Sequence, residues 1–270
     1  TQAVTRNIEE KIQKGELTES PELPLYKYYI EKGWYYIKLG RFEDARVILH
    51  QAELKARFLT PYWQGVLFNV LGVLHAEIST WQEADYYYEK AIEIRESIKD
   101  LKGLGASYID RAILYQDWDK DEEALKFYMK AEEAYKQVGY KSGLITLYID
   151  LGTFYLGLRK YENAMQYFER AYKESYKIGS KDTMVLALNN IGSSLRLTSR
   201  FREAEVFYRR ALEIAEEINS ANLKFLVNRN LMLTYKGMRD YQKASEFQEI
   251  CMNIARNLEA DSQIVNFILL

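Results

Sequence analysis

Four side chains at a regular spacing could do chemistry. Asp110, Asp150, Asn190 and Asn230 each stand forty residues after the last. Two carboxylates could serve as an acid/base pair, hold a metal, or meet a basic ligand. Two carboxamides can each donate and accept, which is what an extended peptide backbone asks of a partner. The chain holds only two histidines, His50 and His75, so a His-rich metal site is excluded. It carries no phosphate loop, CxxC pair or nucleophile elbow. The four therefore read as rungs of one repeated surface; neither catalysis, a metal nor a cofactor is expected.

The elements that place them repeat with the same period. Segments such as "YIDLGTFYLGLRKYENA" and "LNNIGSSLRLTSRFREA" align without gaps six times. A first column holds Gly33, Gly72, Ala112, Gly152, Gly192 and Met232. Twelve residues on stand Ala45, Ala84, Ala124, Ala164, Ala204 and Ala244, and seven further Ala52, Ala91, Ala131, Ala171, Ala211 and Cys251. Small residues at fixed helical positions let two helices approach closely. Each unit reads as helix, short turn, helix, and stacked units share one core because a lone hairpin cannot bury its apolar face.

The order Leu-Gly, Tyr, Tyr-x-x-Ala, bulky residue, Ala in "DLGTFYLGLRKYENAMQYFERA" resembles the tetratricopeptide repeat family, over roughly residues 26 to 258. That resemblance implies an all-α solenoid, a right-handed superhelix of helix-turn-helix hairpins. Six units are drawn at about 26–59, 65–98, 105–138, 145–178, 185–218 and 225–258. The family's usual proline near the end of the second helix is missing. Arg57, Glu96, Lys136, Tyr176, Glu216 and Arg256 stand there instead, so the second helix runs on and the period is about 40 rather than 34.

In such a superhelix the first helices line a concave groove. The residue two before the small column points roughly 150° from the packing face, at 100° per residue. That column reads Glu31, Val70, Asp110, Asp150, Asn190 and Asn230. Flanking it on the same face are Asn69 and the apolar Trp34 and Ile113. Arg196, Arg229 and Lys236 sit near the rim of the last two units, whereas acids fall in the first four. The expected ligand is a linear peptide whose backbone meets Asn190 and Asn230, with a basic part toward Asp110 and Asp150 and a carboxylate toward the arginines. His75 and Tyr88 fall in large-residue columns and read as core, and Cys251 as inert packing in place of a small alanine.

The forty-residue units, scarce proline and Asn/Asp ladder also resemble the receptor domains of bacterial peptide-pheromone sensors, the Rap, NprR and PlcR group. This implies a signalling role, in quorum sensing or transcription regulation, by binding a short peptide. The alternative is a scaffold for a folded or helical partner, similar to kinesin-light-chain repeats. The chaperone-adaptor type fits poorly, since its carboxylate-gripping columns hold Asp110, Asp150 and Val73 here.

Bulk properties agree. With 270 residues, 48% hydrophobic, and a net charge of −2, the chain can bury a large core and has no global pull toward nucleic acid or membranes. A lone cysteine fits a reducing, cytoplasmic setting. The start, Thr1-Gln2-Ala3-Val4, lacks an initiator Met and reads as a piece of a longer protein, with residues 1–20 a short helix or linker. Residues 259–270, ending "QIVNFILL", read as the start of a seventh unit or a cap whose apolar edge suits a partner or a homodimer.

Overall fold

The structure is a computed structural model that describes residues 23–257; the expectations for the two ends lie outside these residues. Among the described residues it is helical throughout, with short turns and no strand. The chain divides after Tyr140 into two compact units. The first contains the hairpins α1 (Leu23–Lys38) with α2 (Phe42–Glu53), α3 (Pro61–Glu77) with α4 (Trp81–Ser97), and α5 (Leu101–Asp117) with α6 (Asp121–Gln137). A 3-10 turn at Ala56–Phe58 follows α2. The second contains α7 (Lys141–Gly157) with α8 (Tyr161–Ile178), α9 (Lys181–Leu197) with α10 (Phe201–Glu217), and α11 (Ala221–Gly237) with α12 (Tyr241–Asn257).

Without a proline to stop them, the second helices from α4 onward reach 17 or 18 residues. Long helices joined by turns of two or three residues make the forty-residue period. Apart from the connection through the 3-10 turn, each turn reverses the chain through one left-handed residue. Ser79, Asp119, Arg159, Ser199 and Arg239 do this inside hairpins, Lys99 and Asn219 between them, and Gly40, Gly139 and Gly179 at the remaining turns.

The small columns are close-approach sites. The twelve-on alanines, Ala45 to Ala244, are at most 2% exposed. A Cβ on Gly152 would lie 2.4 Å from the Phe168 ring, and one on Gly72 2.6 Å from Tyr88. Another pair trades volume between repeats. Gly105 faces Tyr135 and Gly65 faces Arg95. The same two positions hold Ile145 with Ser175, Val185 with Ala215, and Phe225 with Ala255. Glycine appears on the first helix only where the second brings a large side chain.

Aromatic pairs close the other edge of four hairpins. Tyr115 stacks on Phe127 and Tyr155 on Tyr167, both at 5.4 Å and 9°, and Tyr235 stacks on Phe247 at 5.4 Å and 12°. His75 takes this place in the second hairpin. It is half-buried, stacks 5.2 Å from Tyr87, and its Nδ1 lies 2.8 Å from Thr80 Oγ1. Burial lowers its pKa from the usual histidine value. Tyr88 is 2% exposed and belongs to the core, as its column predicts. Cys251 is fully buried, and burial raises its thiol pKa to about 11.

Candidate functional site

Successive first helices pack against each other as well as against their second helices, and this decides where the ladder residues point. The residue three before the small column on one first helix meets the residue two before it on the next. In the first unit Asn69 Nδ2 on α3 donates to Asp110 Oδ2 on α5 at 2.7 Å. In the second, Asn230 Nδ2 on α11 donates to Asn189 Oδ1 on α9 at 2.7 Å. Asp110 and Asn230 therefore lie in seams between neighbouring first helices, a position that the geometry of one isolated helix cannot reveal. Val70 and Asn230 are buried at 7% and 5% exposure. Asp110, Asp150 and Asn190 are half-buried, and Glu31 is exposed. Val70 packs in the core of the first two hairpins. Asn190 Oδ1 accepts from Asn189 Nδ2 at 3.3 Å.

The Asn69–Asp110 bond belongs to a larger network whose other members escaped the sequence reading. Arg95, 6% exposed on α4, donates through Nη1 to Gly103 O at 2.6 Å and to Ser107 Oγ. Ser107 Oγ in turn donates to Asn69 Oδ1 at 2.6 Å. The sequence carried a signal for it: Arg95 is the one cation in a column that otherwise reads Ala56, Tyr135, Ser175, Ala215 and Ala255.

Beside this network a pocket of about 430 Å³ opens between α1, α3 and α5. Trp34, Ile113 and Asp110 line it together, with Lys38, Glu77, Asp117 and Trp81, over the ring of Tyr88. Trp34 and Ile113 are each 39% exposed, and Lys38 Nζ lies 4.3 Å above the Trp34 ring. Burial acts on two of the carboxylates, Asp110 and Asp117. It raises the pKa of Asp110 against the opposing pull of Asn69, Arg95 and Lys38. It raises that of Asp117 too, and the charge of Glu77 adds to the effect. The Tyr88 hydroxyl is pushed well above its usual value by burial and then by Asp110, Glu77 and Asp117. One desolvated carboxylate with two exposed ones beside it, between aromatic walls, is suited to a cationic side chain.

The cationic residues of the expected site lie on α9 and α11, together with Asn190 and Asn230. Arg196 and Arg229 are half-buried and both act on the Tyr208 hydroxyl; Lys236 is exposed. Asp150 lies half-buried on α7. Among the described residues no group of His, Cys, Asp or Glu could hold a metal ion, and no helix is long and apolar enough to cross a membrane.

The repeated hairpins and their small columns define a helical-repeat protein. The tetratricopeptide repeat family profile matches residues 63–137 and 143–217, and the chain belongs to that family. No curated protein sequence matches it. Several solved structures share the fold. Aspartyl phosphate phosphatase F from Bacillus subtilis is 19% identical with a TM-score of 0.71, over 96% of this chain and 70% of that one. The quorum sensor NprR from B. thuringiensis, in its apo form, is 16% identical with a TM-score of 0.66, over 99% and 75%. The tetratricopeptide-repeat sensor PH0952 from Pyrococcus horikoshii, a signal-transduction ATPase with numerous domains, is 20% identical with a TM-score of 0.70. There the match covers 84% of this chain but only 35% of the ATPase.

Proposed function

We propose that the chain is a non-catalytic receptor segment for a linear peptide, lying on the first-helix face with a lysine or arginine side chain in the Asp110 pocket. One observation carries the reading. The seam position needs only a hydrogen-bonding partner for its neighbour, and Asn230 does that job in the second unit without a charge. Asp110 does it with a carboxylate whose burial costs stability, beside Asp117 and Glu77 and under two tryptophans. A costly charge kept at a pocket is a mark of binding. NprR has also been solved in complex with its cognate peptide NprX, which supports the narrower reading. On that reading the segment is the cytoplasmic sensor of a bacterial protein regulated by a signalling peptide.

The test is a selection of random short peptides on the wild-type protein and on Asp110→Asn. Enrichment of peptides containing Lys or Arg on the wild type, lost on the variant, is expected. Failure to enrich any linear peptide would overturn the reading in favour of a scaffold for a folded partner.

A further inference from the structure

The column that supplies the first-helix ring of the aromatic pairs reads Tyr36, His75, Tyr115, Tyr155, Leu195 and Tyr235. Tyr235 shows what this tyrosine does besides stacking. Its hydroxyl reaches back to the preceding second helix, α10, where it donates to Glu205 Oε1 at 2.5 Å and accepts from Arg209 Nη2 at 2.8 Å. A phenol with both bonds made bridges two hairpins. Leu195 gives up the bridge and closes its place with apolar volume. It is buried, and Met165 of the preceding second helix packs into the same core.

His75 does neither. An imidazole is shorter than a phenol, and the 2.8 Å contact of its Nδ1 with Thr80 Oγ1 holds the ring where it stacks on Tyr87. At the register of Glu205 and Arg209 stand Arg46 and His50 on α2. Between these two and His75 lies a pocket of about 400 Å³, with Leu71 and Leu74 at its floor and Tyr87 as a wall. It offers the bonds of the Tyr235 place with the ends exchanged. Arg46 brings donors where Glu205 accepts, and a ring nitrogen of His50 can accept where Arg209 donates. Arg46 spends Nε and Nη2 on Glu43 and keeps Nη1. Glu53 does not fill the space, because its Oε1 accepts from the Tyr87 hydroxyl at 2.8 Å and its Oε2 lies 3.6 Å from His50 Nδ1. Arg46, Val47 and His50 are all exposed, so the pocket opens to solvent on the side of the second helices.

We propose that this pocket docks a tyrosine side chain of a partner protein, whose phenol makes beside His75 the bridge that the column's own tyrosine makes at Tyr235. The fold itself argues for that occupant, since Tyr36, Tyr115, Tyr155 and Tyr235 put a phenol at this register. Exposed Val47 at the mouth offers apolar surface to the chain on either side of the incoming tyrosine. The site is separate from the acidic pocket and stands without the peptide reading.

Both of the chain's histidines line this pocket, so their resonances report on it alone. The experiment follows the imidazole Hε1 signals of the whole chain by NMR during titration with N-acetyltyrosine amide, N-acetylphenylalanine amide and p-cresol. Saturable shifts of both histidines with the tyrosine probe are expected. The phenylalanine probe should bind about tenfold more weakly, for want of the hydroxyl's bonds. His75→Tyr supplies the missing ring from within, with a residue that four repeats already use. It should abolish the response of His50 to the tyrosine probe and leave the melting temperature equal or higher. No saturable shift of either histidine on the wild type, or equal binding of the tyrosine and phenylalanine probes, would overturn the proposal, and this comparison holds whether or not the variant folds. A folded His75→Tyr that still shows the His50 shift would overturn it too. Tighter binding of p-cresol than of the tyrosine probe would overturn the partner residue in favour of a free phenol.

Discussion

At the scale of single residues, the seam between first helices sets up a contrast that stability measurements can read. Asp110→Asn keeps an acceptor for Asn69 and removes a buried charge. The folded-state pKa of Asp110 is raised, so the folded protein holds more protons than the unfolded chain from about pH 4, the ordinary carboxylate value, up to that raised value. Stability falls as pH rises through this window, and the penalty is full above it. Asp110→Asn should therefore raise the melting temperature at neutral pH by a few degrees and flatten that part of its pH dependence. A lower melting temperature would show that the Arg95 network needs the charge. Asn230→Ala should cost about 1–3 kcal/mol in a denaturant titration, because it strands the buried Asn189 carbonyl. Asn190→Ala, whose side chain accepts one 3.3 Å bond, should stay within roughly 0.5 kcal/mol. The column itself was legible from spacing. Its partner was less so: asparagine stands three before the small residue only at Asn69 and Asn189, the two places where a seam bond forms, and periodicity alone does not say that the two columns touch.

At the scale of elements, each hairpin is held by matched volumes. The sequence shows the matching across its own repeats: Gly105 with Tyr135, Val185 with Ala215. Gly105→Val alone puts a Cβ about where the Tyr135 ring lies, 2.3 Å from Cε1, and should cost on the order of 3 kcal/mol. Adding Tyr135→Ala recreates the pairing of the fifth repeat and should recover more than 1 kcal/mol of that loss. A double-mutant cycle measures the coupling; purely additive losses would mean the two side chains do not share the space. Helix lengths were legible too, from the missing prolines. The turns were less so, because Ser79, Lys99, Arg159 and Arg239 adopt a left-handed conformation that their residue types do not announce.

At the scale of the whole molecule, the net charge of −2 conceals local fields of opposite sign, the three carboxylates of one pocket and the arginines beside Tyr208. Composition averages over the first helices and could not separate them, whereas the column register could. The repeat architecture also fixes how damage spreads. In a stack of hairpins each repeat is stabilised by itself and by its neighbours, so a local defect should remain local. Gly152→Leu forces a side chain into the Phe168 ring and should open α7 and α8 first. Hydrogen exchange followed by mass spectrometry should show faster exchange in those helices and in α9, with α1 to α4 unchanged. Uniform loss of protection through all the hairpins would mean that the chain unfolds as one cooperative body, and that repeats four and five carry no separable stability.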